Sequence, residues 1–216
     1  MLLREAREAV VEHCLRMRDD DLTVATSGNI SVRVVDLVAV TPSGVAYESL
    51  TPEGVCVVDM DGNPVEPGPV PSSELPMHLA VYRATDAGAL VHTHPLYATA
   101  VSLLLDELPA VHYMVATLGG PVRVAPYATY GTPELAEVSV AALAGRSAVI
   151  LRNHGATTYG PDLATAYTRS LYLEWLCRLW HQASLAGTPR LLPPDEIDRV
   201  AAMLTGHGQP PEVTTG

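Results

Sequence analysis

Short runs of β-branched and aliphatic residues alternate with stretches of helical periodicity through most of the chain, and this alternation narrows the fold more than any other feature. Residues 2–18 place Leu2, Leu3, Ala6, Ala9, Val10, Cys14 and Met17 at helical spacing with Arg and Glu between them, which predicts an amphipathic helix. The runs 30–40 and 55–58 read as short antiparallel strands, the second followed by the turn signal Asp61-Gly62-Asn63-Pro64. A helix is expected over 74–84, with Pro76 tolerated in its first turn, and a strand over 89–93. Beyond these, 96–105 reads as helix, 110–116 and 121–125 as extended, and 132–144 as a helix opened by Thr132-Pro133-Glu134. The segment SAVILRNHG, 147–155, is a buried strand ending in a histidine and a glycine. A long helix over 162–186, a short one over 197–204 and a frayed tail over 206–216 complete the chain. Elements that alternate in this way pack in layers, giving an α/β or α+β architecture.

The 216 residues suit a single domain, 1–216, large enough to bury a core without disulfides or a structural metal. A metal in such a chain serves chemistry rather than folding. Cys14, Cys56 and Cys177 are far apart and form no CxxC pair, so neither a disulfide framework nor a thiolate zinc site is expected, and a reducing cytoplasm fits. No apolar run approaches the roughly 20 residues that span a membrane, so no membrane association is expected. The net charge of −11 and the lack of a basic patch argue against nucleic acid as a partner. All 13 basic residues are arginine. A chain without lysine cannot form a Schiff base, hold pyridoxal phosphate or build the phosphate-binding loop of the ATPases.

Chemistry gathers on histidine. In LVHTHP, His92 and His94 are two apart in a strand and share a face, so two imidazole nitrogens can reach one ion. The pair alone reads equally as two packed rings bonded to backbone carbonyls. His154, at a strand-to-loop boundary before Gly155, adds a third histidine, and three histidines at strand ends match a catalytic zinc site with an open position. His13, His78 and His181 fall in helices and His207 in the tail, positions that suit structural or solvated roles. His112 suits either packing or support of the ligands.

Metal chemistry at neutral pH calls for a proton carrier, and Glu74 in PSSELPMH is the candidate, although an acid in a first helical turn is also stabilised by the helix dipole alone. Ser72 and Ser73 before it offer hydroxyls and backbone N–H groups to an anion such as phosphate. The loops TSGN, 26–29, and TPSG, 41–44, have the same character, each joining hydroxyls to a glycine that lets backbone amides approach a ligand.

The segments TSGNISVR, TPSG, PSSE, VHTHP, VHYMVA, PYATYGT and RNHG, in this order, resemble the class II aldolase/adducin family, and within it the fuculose-phosphate aldolases most. The resemblance covers nearly the whole chain. It implies a three-layer α/β/α sandwich around a largely antiparallel sheet, assembled as a homotetramer with active sites at subunit interfaces. It also implies a zinc-dependent aldolase that reversibly cleaves a ketose 1-phosphate, such as L-fuculose 1-phosphate or a 5-deoxypentulose 1-phosphate, to dihydroxyacetone phosphate and a short aldehyde. By resemblance, His92, His94 and His154 hold Zn2+ or another divalent metal, one per subunit. Glu74 is then a fourth ligand at rest and the acid/base, while zinc stabilises the enediolate. Thr26, Gly28, Asn29, Ser43, Gly44, Ser72 and Ser73 hold the substrate phosphate, and Tyr113 of a neighbouring subunit serves the aldehyde half. The chain departs from the fuculose-type pattern in having no tyrosine beyond Tyr172. The same scaffold also carries pentulose-5-phosphate 4-epimerases, methylthioribulose-1-phosphate dehydratases and the non-catalytic adducin head.

Overall fold

The computed structural model of the protein describes residues 1–206; of the tail expected at 206–216, all but Gly206 lies outside the described residues, as does His207. The helices are α1 (Arg4–Asp19), α2 (Leu75–Ala84), α3 (Leu96–Ser102), α4 (Pro133–Ala142), α5 (Leu163–Ala186) and α6 (Pro194–Gly206). The strands are β1 (Asn29–Val34), β2 (Leu37–Val40), β3 (Cys56–Asp59), β4 (Ala89–Thr93), β5 (Glu107–Leu108), β6 (Val122–Ala125), β7 (Ala148–Leu151) and β8 (Gly155–Gly160). They form one sheet in the order β3-β2-β1-β4-β8-β7-β6-β5. Every neighbouring pair is antiparallel except β6 and β7.

Successive strand residues point to opposite faces, and the two faces bury different helices. Val38, Val40, Leu90, Val149 and Leu151 pack with α2 and α4. Their neighbours Ala39, Ala89 and Val91 pack with α1 and α5, and Ala148 and Ile150 pack with α3 and α5. The result is the expected α/β/α sandwich, with the central strands hydrophobic on both sides. Each fully buried leucine, Leu90 for example, contributes about 1.5–3 kcal/mol relative to exposure.

Three local expectations give way. The run 30–40 is a hairpin rather than one strand, turning at Val35, whose φ is 58°. A β-branched residue in the left-handed region carries no turn signature, so the sequence reads straight through it. The segment expected to be extended over 110–116 instead enters a 3-10 helix over Tyr113–Leu118, in which Val115 and Leu118, three apart, are the buried pair. Finally, Gly155–Gly160 was not legible as a strand, yet it lies between β4 and β7 and bonds to both. Its two threonines and tyrosine suit a strand, but the segment is short and bounded by glycines; pairing on both edges decides its state. Among the described residues, no helix is long and apolar enough to cross a membrane. Cys14, Cys56 and Cys177 are buried and free.

Candidate metal centre and anion pocket

Register builds the centre. Asn29 on β1 pairs with His92 on β4, and His92 pairs with Thr157 on β8, so three polar side chains form one row across the sheet. Above the row lies α2, opened by Glu74 at its N-cap with Pro76 in the first turn. His94 stands just beyond β4, and His154 sits in the tight turn from β7 to β8. That turn is fixed by Asn153, at φ 55°, whose backbone N–H donates to Ser102 Oγ at 3.0 Å, and by an ion pair between Arg152 and Asp106.

Around this point the rings of His92, His94 and His154 lie 4.9 Å from one another, centroid to centroid. Glu74 Oε2 is 3.0 Å from His92 Nε2, and His92 Nε2 is 2.9 Å from His94 Nε2. One ligand atom from each of the four residues falls within 4.8 Å of the others. Thr157 Oγ1 donates to Met77 Sδ and therefore accepts from His92 Nδ1–H at 3.1 Å. That assignment leaves the Nε2 lone pair facing the centre, the tautomer a metal ligand needs. Glu74 Oε1 is 3.3 Å from His154 Nε2 but buried without a hydrogen-bond partner. Three imidazole nitrogens and an unsatisfied buried carboxylate oxygen fit a divalent metal.

Burial, reinforced by the other two imidazoles, pushes His94 down to about 3. Burial also works against the Glu74 carboxylate, but the attraction of His92 and His154 outweighs it and holds the group well below the usual carboxylate range. His94 is thus held neutral and Glu74 ionised, the protonation states in which an imidazole and a carboxylate bind a metal.

A cavity of about 280 Å³ opens beside Glu74, His94 and His154. Its lining includes every residue expected at the phosphate: Thr26, Gly28, Asn29, Ser43, Gly44, Ser72 and Ser73. The loops are held together from below. Tyr47 O–H donates to the carbonyls of Ser27 and Gly28, both at 2.9 Å, and Pro42 bridges to Pro71, tying the loop 41–44 to the loop before α2. Gly28, at φ +93°, packs so closely that a Cβ would stand 2.9 Å from the His92 carbonyl. Among the described residues no arginine lines this cavity, and its donors are hydroxyls, amides and imidazoles. On the other side of His94 and His154 lies a wider cavity of about 830 Å³, bordered by Leu96, Tyr97, Trp175 and Arg178.

Tyr113 lines neither cavity of its own chain; it is 48% exposed and lies against His112, which meets Trp175 at 4.8 Å. Several contributors were given no site role from the sequence. Tyr127, Tyr130 and Asn153 line the smaller cavity, and the first two belong to the quoted segment PYATYGT. Glu174 accepts from the amides of Tyr97 and Ala98, both at 2.8 Å, fixing the start of α3 beside the larger cavity. The helical histidine His78 is fully buried directly behind the centre. Asn29 lines the cavity as expected, but its side-chain amide is also engaged by Glu74 and His78.

Known proteins share this architecture. The family model of the class II aldolase and adducin N-terminal domain matches residues 8–181. A 5-deoxy-D-ribulose 1-phosphate aldolase from Bacillus thuringiensis serovar kurstaki is 42% identical over 212 residues, covering 97% of this chain and 100% of that protein. An L-fuculose phosphate aldolase from Escherichia coli K12 is 40% identical over 173 residues, 79% of this chain and 80% of that one. The solved structure of an L-fuculose 1-phosphate aldolase superposes with a TM-score of 0.92 at 37% identity, over 95% of this chain and 98% of that one.

Proposed function

Because the chain belongs to the class II aldolase and adducin family, we propose that it is a metal-dependent aldolase that reversibly cleaves a ketose 1-phosphate to dihydroxyacetone phosphate and a short aldehyde. The observation that carries this reading is the convergence of His92, His94, His154 and Glu74 beside a cavity lined by neutral hydrogen-bond donors. These four residues would hold one Zn2+ per subunit. When bound, the ion supplies the Lewis acid that accommodates the electron pair left by carbon–carbon cleavage, a role that a lysine-free chain cannot give to a Schiff base.

The chain's own residues hold the substrate and move its protons. Thr26, Gly28, Asn29, Ser43, Gly44, Ser72 and Ser73 bind the phosphate, fixing the three-carbon half against Glu74. In the condensing direction Glu74 removes a proton from the hydroxymethyl carbon of dihydroxyacetone phosphate, and that carbon attacks the aldehyde. Tyr113 of a neighbouring subunit in a homotetramer donates its phenolic proton to the new alkoxide, and cleavage retraces these steps. The wider cavity, walled by Leu96, Tyr97 and Trp175, suits a short aldehyde with an apolar end. Relatives of near-equal identity support both acetaldehyde from a 5-deoxypentulose 1-phosphate and lactaldehyde from fuculose 1-phosphate.

The test is metal analysis of the purified protein, followed by condensation of dihydroxyacetone phosphate with a panel of aldehydes and hydrogen exchange of dihydroxyacetone phosphate alone. We expect about one divalent ion per chain, and acetaldehyde and lactaldehyde should react fastest. Glu74→Gln should keep its metal and lose about 100-fold or more in exchange. A protein without stoichiometric metal, or one that condenses no aldehyde, would overturn the reading.

A further inference from the structure

Behind the centre, α2 and β1 share a buried polar stripe. Glu74, His78 and Tyr82 recur every four residues along α2, and Asn29 and Ser31 every two along β1. Four helical residues rise about 6 Å and two strand residues about 6.6 Å, so the two series stay in step. Asn29 Nδ2 is 2.9 Å from Glu74 Oε2, and His78 Nε2 is 2.6 Å from Asn29 Oδ1. Ser31 Oγ is 2.6 Å from His78 Nδ1 and 2.8 Å from Tyr82 O–H. His78 and Ser31 are fully buried and Tyr82 is 1% exposed, so no water competes for these contacts.

One charged end sets the direction of every bond. A carboxylate can only accept, so Asn29 must turn its NH2 to Glu74 and its carbonyl oxygen to His78. The carbonyl oxygen needs a donor, so His78 carries its proton on Nε2, and its bare Nδ1 accepts from Ser31 O–H. Ser31 then accepts from Tyr82. A lone asparagine amide could present either end to its surroundings, because the two ends differ little in size.

We propose that His78 is a positioning residue for the proton transfer: through Asn29 it holds Glu74 Oε2 in place, leaving Oε1 free to face metal and substrate. The inference rests on the aldolase reading above and deepens it. His78 is fully buried with Asn29 Oδ1 on one ring nitrogen and Ser31 Oγ on the other, so the ring works as one donor and one acceptor. Oε1, buried with no hydrogen-bond partner, is the oxygen this arrangement leaves available. The interaction also gives Asn29 two duties, one towards the phosphate cavity and one towards the acid.

Two measurements test it. In wild-type protein labelled with 15N-histidine, two-bond proton–nitrogen correlations should show His78 protonated at Nε2 alone between about pH 6 and 8; an Nδ1–H tautomer or an imidazolium would overturn the proposal. For kinetics, His78→Met fills the space without donating, whereas His78→Gln can still donate to Asn29 and accept from Ser31. With zinc content and thermal unfolding followed in parallel, His78→Met should lose about 10- to 100-fold in the turnover of hydrogen exchange from dihydroxyacetone phosphate, its KM changing less than about twofold. His78→Gln should recover most of that loss. Wild-type turnover in His78→Met, an equal loss in both variants, or a loss seated in KM would overturn the positioning role. Wild-type protein that exchanges no hydrogen would overturn the aldolase reading itself, a result distinct from a normal rate in His78→Met.

Discussion

Gly155 leaves its site no spare room: a Cβ there would stand 2.2 Å from the Thr93 carbonyl oxygen and 3.1 Å from His94 Cδ2. Gly155→Ala must therefore push β8 from β4 beside His94 and His154, two of the proposed metal ligands. We expect a loss of about 1–3 kcal/mol in stability together with weakened zinc binding, and an unchanged zinc affinity would show that the centre tolerates the displacement. Thr157 touches one of the proposed ligands, His92. Removing its hydroxyl in Thr157→Val deprives His92 Nδ1 of an acceptor, and zinc affinity measured by competition with a chelator should fall about 10- to 100-fold. At this scale the sequence was most informative where spacing alone carries meaning. His92 and His94 share a strand face by count, and His154 precedes a glycine at the end of an apolar run. His78 was not legible in the same way, because its importance arises from the alignment of α2 with β1, which no local pattern states.

Elements follow the same division. The helices were legible from their periodicity, and α2 begins where Pro76 and the serines before Glu74 mark it. The hairpin between β1 and β2 was hidden because Val35, 83% exposed at φ 58°, holds a conformation that asparagine or glycine adopts more readily. Val35→Asn should raise stability by about 1 kcal/mol, seen as a rise of about 2–4 °C in the thermal midpoint; a lower midpoint would mean that Val35 contributes more by its contacts than it loses in strain. The missed strand β8 illustrates the complementary case. Gly155–Gly160 is a short segment bounded by glycines, but it supplies Thr157 to His92 and completes the sheet between β4 and β7, so its conformation is set by partners distant in sequence.

Across the whole molecule, a buried neutral histidine ties stability to pH. His78 is pushed down to about 3 by burial, against an ordinary value of 6.5. Below 6.5 the unfolded chain takes up a proton that the folded chain refuses, so this stabilisation is complete above that value and is lost as the pH falls towards 3. Between about pH 6 and 4, the unfolding free energy of the zinc-free wild type should fall more steeply than that of His78→Gln, by up to about 1.4 kcal/mol per pH unit. Equal slopes would contradict a histidine buried in its neutral form. The fold and the centre meet in the central claim that the three histidines and Glu74 hold a metal used to cleave a carbon–carbon bond. The most direct test is the release of dihydroxyacetone phosphate from a 5-deoxypentulose 1-phosphate by the purified protein, measured before chelation, after it, and after zinc is restored. Release that stops with chelation and returns with zinc is the predicted result; release that continues unchanged in metal-stripped protein, or never occurs with zinc bound, would contradict the account.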